Sequence, residues 1–295
     1  MPQTTREAGA SVLDYAKALP QYLLPTHTLS RVMHILTRSS NPLCRSWFTR
    51  WFAHHFQVDM SLAQEPDLHT YASFNAFFTR ALRPDARPVV AETKAAACPV
   101  DGRVSQAGEI QQGRIFQAKG RDYSLAQLLG GDNEWTERFR NGNFATIYLS
   151  PRDYHRIHMP LTGTLKAMTH VPGRLFSVNP ATTRAVPGLF ARNERVIAYF
   201  DTAAGPMALI LVGAIFVASI ETVWAGEVTP PAGKSVQHWH YQGSDAITLE
   251  KGEEMGRFNM GSTVIVLFGP QAAHWAAEIQ PDTPVQMGQL LANLG

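Results

Sequence analysis

Cysteine is scarce in this chain, and it lacks both a long hydrophobic run and a strong net charge. Cys44 and Cys98 are the only cysteines among 295 residues, so we expect no disulfide framework and a reducing compartment. The longest apolar stretch, residues 207–220, is shorter than the ~20 residues that a membrane-spanning helix needs. A formal net charge of +2 is too small to indicate a nucleic-acid partner. The N-terminus also lacks the pattern of a secretory signal.

Acidic residues are absent from the segment between Tyr15 and Val58. The basic residues there are Lys17, Arg31, Arg38, Arg45 and Arg50. Apolar and aromatic residues such as Trp47 recur at three- and four-residue steps, which predicts helices, with Thr28 or Ser30 capping the first. A basic amphipathic helix that carries tryptophan is typical of an interfacial membrane binder. A helical layer packed on an ordinary core fits the same pattern.

The character of the chain changes after a proline-rich stretch, residues 83–88, which we interpret as a linker. Short segments rich in Val, Ile and Phe, separated by Gly and Pro, then predict strands, one of them over residues 215–223. The dipeptide Asp101-Gly102 predicts a hairpin turn. The expected fold class is α+β, with an amphipathic helical region and linker at residues 1–92 and a β-rich catalytic domain at residues 93–295.

A glycine and a serine stand at the start of the apolar run 263–268, which reads as a buried strand. The Oγ of Ser262 lies one residue past the carbonyl of Gly261, so a base that removes its proton would let the chain attack its own backbone. Glycine at 261 is expected to permit unusual backbone conformations and to leave this carbonyl open. Taken alone, a Gly-Ser-Thr before a strand is more often an ordinary turn.

Three upstream residues are candidates for activating that serine. A neutral imidazole such as that of His158 takes up a serine proton, and a carboxylate such as that of Asp101 fixes its tautomer. His155 lies three residues before His158. Asp101 alone suits a plain turn, and the two histidines suit a structural pair or a metal site. No third ligand stands at a recognised spacing, so we predict no metal.

Several blocks of the sequence resemble bacterial phosphatidylserine decarboxylases, from about residue 15 to the C-terminus. They are Asp101-Gly102, the stretch YLSPRDYHRIHMP at residues 148–160, the stretch KGEEMGRF at residues 251–258 before Gly261-Ser262-Thr263, and the stretch FNAFFTR at residues 74–80. One departure is Met260, where the family often has leucine, a change that conserves volume.

The resemblance implies an enzyme that makes its own covalent pyruvoyl (pyruvate) cofactor. Asp101, His158 and Ser262 would form a self-cleavage triad that cuts between Gly261 and Ser262 into a large chain, 1–261, and a small chain, 262–295. Ser262 would become the pyruvoyl group and would form a Schiff base with phosphatidylserine, and loss of carbon dioxide would give phosphatidylethanolamine. His155 would steer the carboxylate or return the proton.

The resemblance also implies where the protein works. We expect a peripheral protein on the cytoplasmic face of the cell membrane, docked on anionic phosphatidylserine through residues 15–58, and a homodimer of processed pairs. A pyruvoyl decarboxylase of a soluble amino acid, a conventional Asp-His-Ser hydrolase and a non-enzymatic membrane-binding module are the alternatives.

Overall fold

Helices dominate the start of the chain and strands the rest. The computed structural model describes residues 9–216, 219–230 and 233–295. Its helices are α1 (Val12–Ala18), α2 (Thr26–Thr37), α3 (Pro42–His55), α4 (Phe74–Phe78), α5 (Leu125–Leu128), α6 (Asn133–Phe139), α7 (Pro180–Ala185) and α8 (Leu189–Arg192), with 3-10 turns at Leu19–Tyr22 and Gly243–Asp245. Within the described ranges, no helix is both long and apolar enough to cross a bilayer.

The strands begin after residue 94. They are β1 (Ala95–Ala97), β2 (Gly102–Glu109), β3 (Arg114–Ala118), β4 (Arg121–Ser124), β5 (Asn143–Tyr148), β6 (Arg156–His158), β7 (Gly163–Val171), β8 (Arg195–Thr202), β9 (Gly205–Val212), β10 (Ile220–Thr222), β11 (Gly226–Thr229), β12 (Gln237–His240), β13 (Ile247–Leu249), β14 (Glu254–Phe258), β15 (Thr263–Phe268), β16 (Ala273–Trp275), β17 (Pro284–Val285) and β18 (Leu290–Leu294). The predicted α+β class, with helices preceding a β-rich region, is confirmed.

The largest sheet carries the core. Its strands run β12-β7-β8-β9-β15-β5-β2-β17, with β13 also paired to β7. Strand β15 lies antiparallel between β5 and β9, and all six of its residues are buried. A strand covered on both faces needs apolar side chains at every position, which accounts for the unbroken run at 263–268.

The N-terminal helices pack onto the β-rich region at separate points. Asp14 of α1 pairs with Arg184 at 2.9 Å, and Arg38, which follows α2, pairs with Glu227 of β11 at 2.7 Å. Helices α3 and α4 form an aromatic cluster, which we define as Phe52, Ala53, Phe74, Phe77 and Phe78. Met260 packs against this cluster.

Two predictions about local structure are wrong. Helix α2 begins at Thr26 rather than after a cap at Thr28 or Ser30. Asp101-Gly102 is not a hairpin turn, because β1 pairs with β18 and β2 pairs with β5. Glycine suits position 102 because a Cβ there would lie 2.4 Å from the carbonyl oxygen of Tyr148, so the two strands approach too closely for a side chain.

Two further segments differ from expectation. Within residues 215–223 only β10 is a described strand. Phe216 has a φ of +66°, a left-handed conformation that belongs to a turn and is uncommon for a bulky residue. The proposed linker at 83–88 is not a bare connection, because Arg87 forms an ion pair with Asp101 at 2.5 Å.

Candidate active site

Ser262 lies at the entrance to the central strand, directly before β15. Its backbone carbonyl accepts a hydrogen bond from the N–H of Leu149 at 2.9 Å, which continues the β5–β15 ladder by one residue. The side chain is fully buried, and its Oγ has no hydrogen-bond partner among the described residues. A buried hydroxyl without a partner costs stability, and such orphaned groups in native structures call for a functional explanation.

The unusual backbone conformation at this point belongs to Met260, not to Gly261. Met260 has a φ of +156°, whereas Gly261 is not among the residues with positive φ. A Cβ placed on Gly261 would meet its nearest neighbours only at 3.8 Å, so there is room for a small side chain. The expectation of special conformational freedom at Gly261 is therefore wrong, and glycine leaves its carbonyl uncrowded instead.

Asn259 fixes the chain two residues before Gly261. Its backbone N–H donates to the carbonyl of Ser219 at 3.0 Å, and its side-chain amide donates to the Ser219 hydroxyl. Its Oδ1 accepts a hydrogen bond from Asn75 at 3.0 Å. Because Asn75 is in helix α4, this amide pair ties the N-terminal region to the segment before Ser262.

His155 is the histidine nearest to Gly261. Its Nδ1 lies 2.8 Å from the carbonyl of Asp153, which can only accept, so Nδ1 carries the proton and Nε2 is a bare acceptor. Nε2 is buried without a hydrogen-bond partner among the described residues and would lie 3.8 Å from a Cβ on Gly261. The ring packs on Phe78, with 4.2 Å between centroids.

His158 is held in the same tautomer by different partners. Its Nδ1 donates to the carbonyl of Gly252 at 2.8 Å, and its Nε2 accepts from the hydroxyl of Tyr154 at 3.0 Å. The lone pair that a general base would use is therefore occupied by Tyr154. No hydrogen bond joins His158 to Asp101 or to Ser262 in the described part of the chain.

Asp101 is buried and is bound by an arginine that the sequence analysis did not select. Arg87 donates to both carboxylate oxygens, from Nε at 2.9 and 3.1 Å and from Nη2 at 2.5 Å. The backbone N–H of Met287 adds a bond of 2.8 Å. The segment before Asp101 pairs with His158, since the N–H of His158 bonds to the carbonyl of Pro99 at 2.9 Å. Against the effect of burial, the charge of Asp101 acts to raise the pKa of His158.

The two imidazoles differ as bases. Burial lowers the pKa of His155 to about 3, so its neutral form is strongly favoured but binds a proton weakly. Burial also lowers the pKa of His158, by less, because its bond to Gly252 and the carboxylates of Glu254 and Asp101 oppose the effect. General-base catalysis is most effective when the pKa lies near the working pH, which favours His158, whereas proximity to Gly261 favours His155.

The aromatic cluster covers the site. His155 and Ser262 have no exposed surface, and Phe78 of α4 lies directly on His155. The sequence analysis missed Tyr154, Arg87 and Asn259 as partners of the site residues. Tyr154 lies inside a block that the sequence analysis singled out, and so does Asn75, the partner of Asn259. Arg87 lies between two prolines, and no sequence pattern indicated its role.

Comparison with known proteins identifies relatives over almost the whole chain. The family model described as phosphatidylserine decarboxylase matches residues 74–293, and a second, described as PSD, matches residues 16–57. A phosphatidylserine decarboxylase proenzyme of Methylococcus capsulatus is 58% identical over 273 residues, which is 92% of this chain and 94% of that protein. Proenzymes of the same name from Shewanella sp. strain ANA-3 and Shewanella baltica strain OS155 are each 55% identical over 285 residues, 96% of this chain and 98% of theirs.

Proposed function

Because the chain belongs to the phosphatidylserine decarboxylase family, we propose that it converts phosphatidylserine to phosphatidylethanolamine and carbon dioxide with a pyruvoyl group made from its own Ser262. The observation that carries the second part is a pair of buried, unpartnered polar atoms next to Gly261. One is the Oγ of Ser262 and the other is the Nε2 of His155. An acceptor and a nucleophile left without partners beside one peptide bond suit a reaction at that bond.

Self-cleavage begins with Ser262. A base removes the proton of its Oγ, which attacks the Gly261 carbonyl and converts the amide into an ester. β-Elimination then removes the Cα proton of Ser262, breaks the Oγ–Cβ bond and releases the carboxylate of Gly261, a far better leaving group than hydroxide. The resulting dehydroalanine tautomerises to an imine, and water hydrolyses the imine to the ketone and ammonia. The products are chains 1–261 and 262–295.

His158 takes the proton in this proposal, with Asp101 as its electrostatic partner and His155 reserved for decarboxylation. The smaller depression of the His158 pKa supports the first assignment. It requires Tyr154 to release Nε2, because that hydroxyl now occupies the lone pair. The open Nε2 of His155, aimed at the cleavage point, supports its role in steering the substrate carboxylate or returning the proton.

The pyruvoyl ketone would bond to the substrate amine and accept the electrons released as carbon dioxide leaves, the chemistry that such carbonyl cofactors supply. This chain would hold that group at the first position of β15, between β5 and β9. The aromatic cluster over His155 would keep water from the site. Exclusion of water strengthens electrostatic interactions inside a site.

The two products of cleavage would stay together. The small chain would contribute the central strand β15, and it would also contribute β17, which pairs with β2, and β18, which pairs with β1. These strand pairings join the small chain to the large chain at several places in two sheets. Backbone hydrogen bonds and a buried core hold them without the peptide bond.

The rate of self-cleavage is expected to fall at low pH, because the proposed base, His158, acts in its neutral form. The neutral form of His158 predominates above its pKa, so the rate should be constant at pH 7–8. Because burial lowers that pKa, the rate should begin to fall only at a pH below the ordinary histidine value of about 6.5. Timed gels or mass spectra of freshly synthesised chain measure this rate. A rate that rises on acidification would exclude a neutral imidazole as the base.

Helices α2 and α3 support docking on a membrane surface. Trp47 and Trp51 of α3 are 65% and 45% exposed, and Ile35 of α2 is 67% exposed. Exposed aromatic and aliphatic residues beside arginines suit the interface of an anionic bilayer. Arg38 is not available to lipid, because it binds Glu227. Helix α3 also contributes Phe52 to the cluster over the site, so its outer face would meet the lipid whose headgroup reacts beneath its inner face.

Replacing both Trp47 and Trp51 with alanine is expected to weaken binding to vesicles that contain phosphatidylserine by about tenfold or more. The reason is that the variant loses the apolar area that the two side chains would bury in the bilayer. Vesicle co-sedimentation measures the change. Phe116→Ala removes an aromatic residue that is 40% exposed on β3, outside helices α2 and α3, and serves as the matched control. Equal binding by the double variant and the wild type would show that docking uses another surface.

An intact mass spectrum of the purified protein tests the proposed function directly. We expect two chains that break between Gly261 and Ser262, the smaller one lighter by one ammonia than a serine-terminated fragment. An uncut chain in an active sample would instead support the conventional Asp101, His158 and Ser262 hydrolase. Activity on free amino acids but not on phosphatidylserine vesicles would indicate the soluble-substrate alternative. Placement on the cytoplasmic face of the membrane and a homodimer of processed pairs complete the proposal, and light scattering of the cleaved protein tests the dimer.

A further inference from the structure

A buried arginine beside the site lacks the partners that its charge requires. The side chain of Arg80, two residues after α4, is 4% exposed. Among the described residues this side chain forms one hydrogen bond, from Nη2 to the carbonyl of Arg152 at 3.3 Å, and it lies over the ring of Phe77 at 5.5 Å. Its Nε has no hydrogen-bond partner among the described residues. A guanidinium has five N–H donors and keeps its charge in proteins, and a buried charge without a partner is costly.

The carboxylates around Arg80 are committed elsewhere. Asp59 accepts from Ser61, Asp101 binds Arg87 in a bidentate pair, and Asp153 accepts from the N–H of Ser150. Within the described ranges none of them forms a hydrogen bond or ion pair with Arg80. By contrast, Arg87 uses Nη1 as well, on the carbonyl of Ala86 at 2.7 Å. Arg80 is therefore a buried cation at this place that has room for an added anion.

Arg80 lines a cavity beside the segment that carries the two site histidines. The cavity has a volume of about 250 Å³, and Arg80, Asp101, Arg152 and Tyr154 are among its lining residues. Arg80 binds the carbonyl of Arg152, and the next carbonyl along the chain, that of Asp153, binds His155. Consecutive residues are only ~3.8 Å apart, so Arg80 lies near His155. Besides burial, its charge helps to lower the pKa of that imidazole.

We propose that Arg80 binds the phosphodiester of the phospholipid substrate and its product, with the headgroup in this cavity. This inference rests on the proposed function. Phosphatidylserine offers two anions, a carboxylate and a phosphodiester, and the reaction itself distinguishes them. The carboxylate loses its charge as carbon dioxide departs, so a cation bound to it would stabilise the ground state more than the transition state and would slow the reaction. The phosphodiester keeps its charge throughout, so binding it stabilises both states equally.

Uniform binding of this kind predicts a specific pattern in the kinetics of an Arg80→Met variant. With monomeric short-chain phosphatidylserine, KM should rise tenfold or more while kcat changes little, as expected when a charge-assisted hydrogen bond common to both states is lost. The dissociation constant of short-chain phosphatidylethanolamine, measured by titration calorimetry, should rise by a similar factor. Arg80→Lys should recover part of the affinity, because it keeps the charge but not the fork of donors.

Stability separates binding from a structural role. Replacing an unpaired buried cation by an apolar side chain removes an uncompensated charge, so Tm of Arg80→Met should be equal to or above that of the wild type. Arg83→Met is the matched control, because Arg83 lies on the same segment and its side chain is 48% exposed beside Asp85. This control should leave KM and the product affinity unchanged.

Each other result overturns the assignment. A rise in KM with unchanged affinity for phosphatidylethanolamine would show that the bound anion is the carboxylate. Unchanged KM and unchanged product affinity would show that no anion binds here, and a lowered Tm together with a lowered kcat would show a structural residue. Titration calorimetry measures product binding without turnover. A wild-type chain that fails to cleave or to decarboxylate would therefore count against the proposed function, while the Arg80 titration would still be interpretable.

Discussion

Ser262→Ala is expected to yield a single uncut chain without decarboxylase activity. The variant lacks the only oxygen that can attack the Gly261 carbonyl in the proposed reaction. Without that oxygen no ester forms, and no elimination can convert the Cα of residue 262 into a ketone carbon. Loss of an essential nucleophile reduces catalysis by about 10⁴-fold or more, so the residual activity should be below detection. Intact mass spectrometry and release of carbon dioxide from labelled phosphatidylserine measure the two effects on one sample.

The fold should tolerate this change. The Oγ of Ser262 has no hydrogen-bond partner among the described residues, so its removal breaks no bond and relieves the cost of a buried, unpaired hydroxyl. Thermal unfolding of Ser262→Ala should therefore occur at the wild-type Tm or above it. Ser105→Ala, on β2 of the same sheet, is the control and should be cleaved and active. A Ser262→Ala sample that is still cut at the same bond would assign the cleavage to an external protease.

The two histidines are expected to separate the two reactions. His158→Ala should accumulate uncut chain, with the cleavage rate reduced by about 10²–10⁴-fold, the usual contribution of a general base. His155→Ala should still be cleaved, but the mature protein should lose most of its decarboxylase activity. Both effects are read from the same pair of measurements, the fraction of cleaved chain and the turnover of phosphatidylserine per cleaved chain.

The contacts around these histidines make this a demanding test. His155 has the shorter approach to Gly261, whereas His158 has the less depressed pKa but gives its Nε2 to Tyr154. If proximity decides, His155→Ala will stay uncut while His158→Ala is cleaved, and the base will have to be reassigned to His155. Asp101→Asn supplies the check on the third residue, because it should slow cleavage only if the carboxylate assists His158.

The sequence determined the fold class and predicted the position of the reactive bond. An unbroken apolar run at 263–268 can only be satisfied by a strand buried on both faces, and β15 at the centre of the sheet is that strand. The acid-free segment with three- and four-residue periodicity likewise specified helices, because periodicity is a local property that tertiary contacts seldom override. The family resemblance rested on such contiguous blocks and needed no long-range information.

Tertiary structure alone decided which distant residues contact each other. Arg87 reaches Asp101 across 14 residues, and Asn75 reaches Asn259 across 184, distances over which periodicity and motif spacing carry no information. The same reason explains the errors. Asp101-Gly102 has the composition of a turn, but its glycine is required by the close approach of Tyr148 on β5. The proline-rich segment 83–88 has the composition of a linker, but its Arg87 forms an ion pair with the buried carboxylate of Asp101. Packing also left Arg80 buried without an ion pair in the described part of the chain, a property that no sequence pattern expresses because it depends on the position of every neighbouring charge.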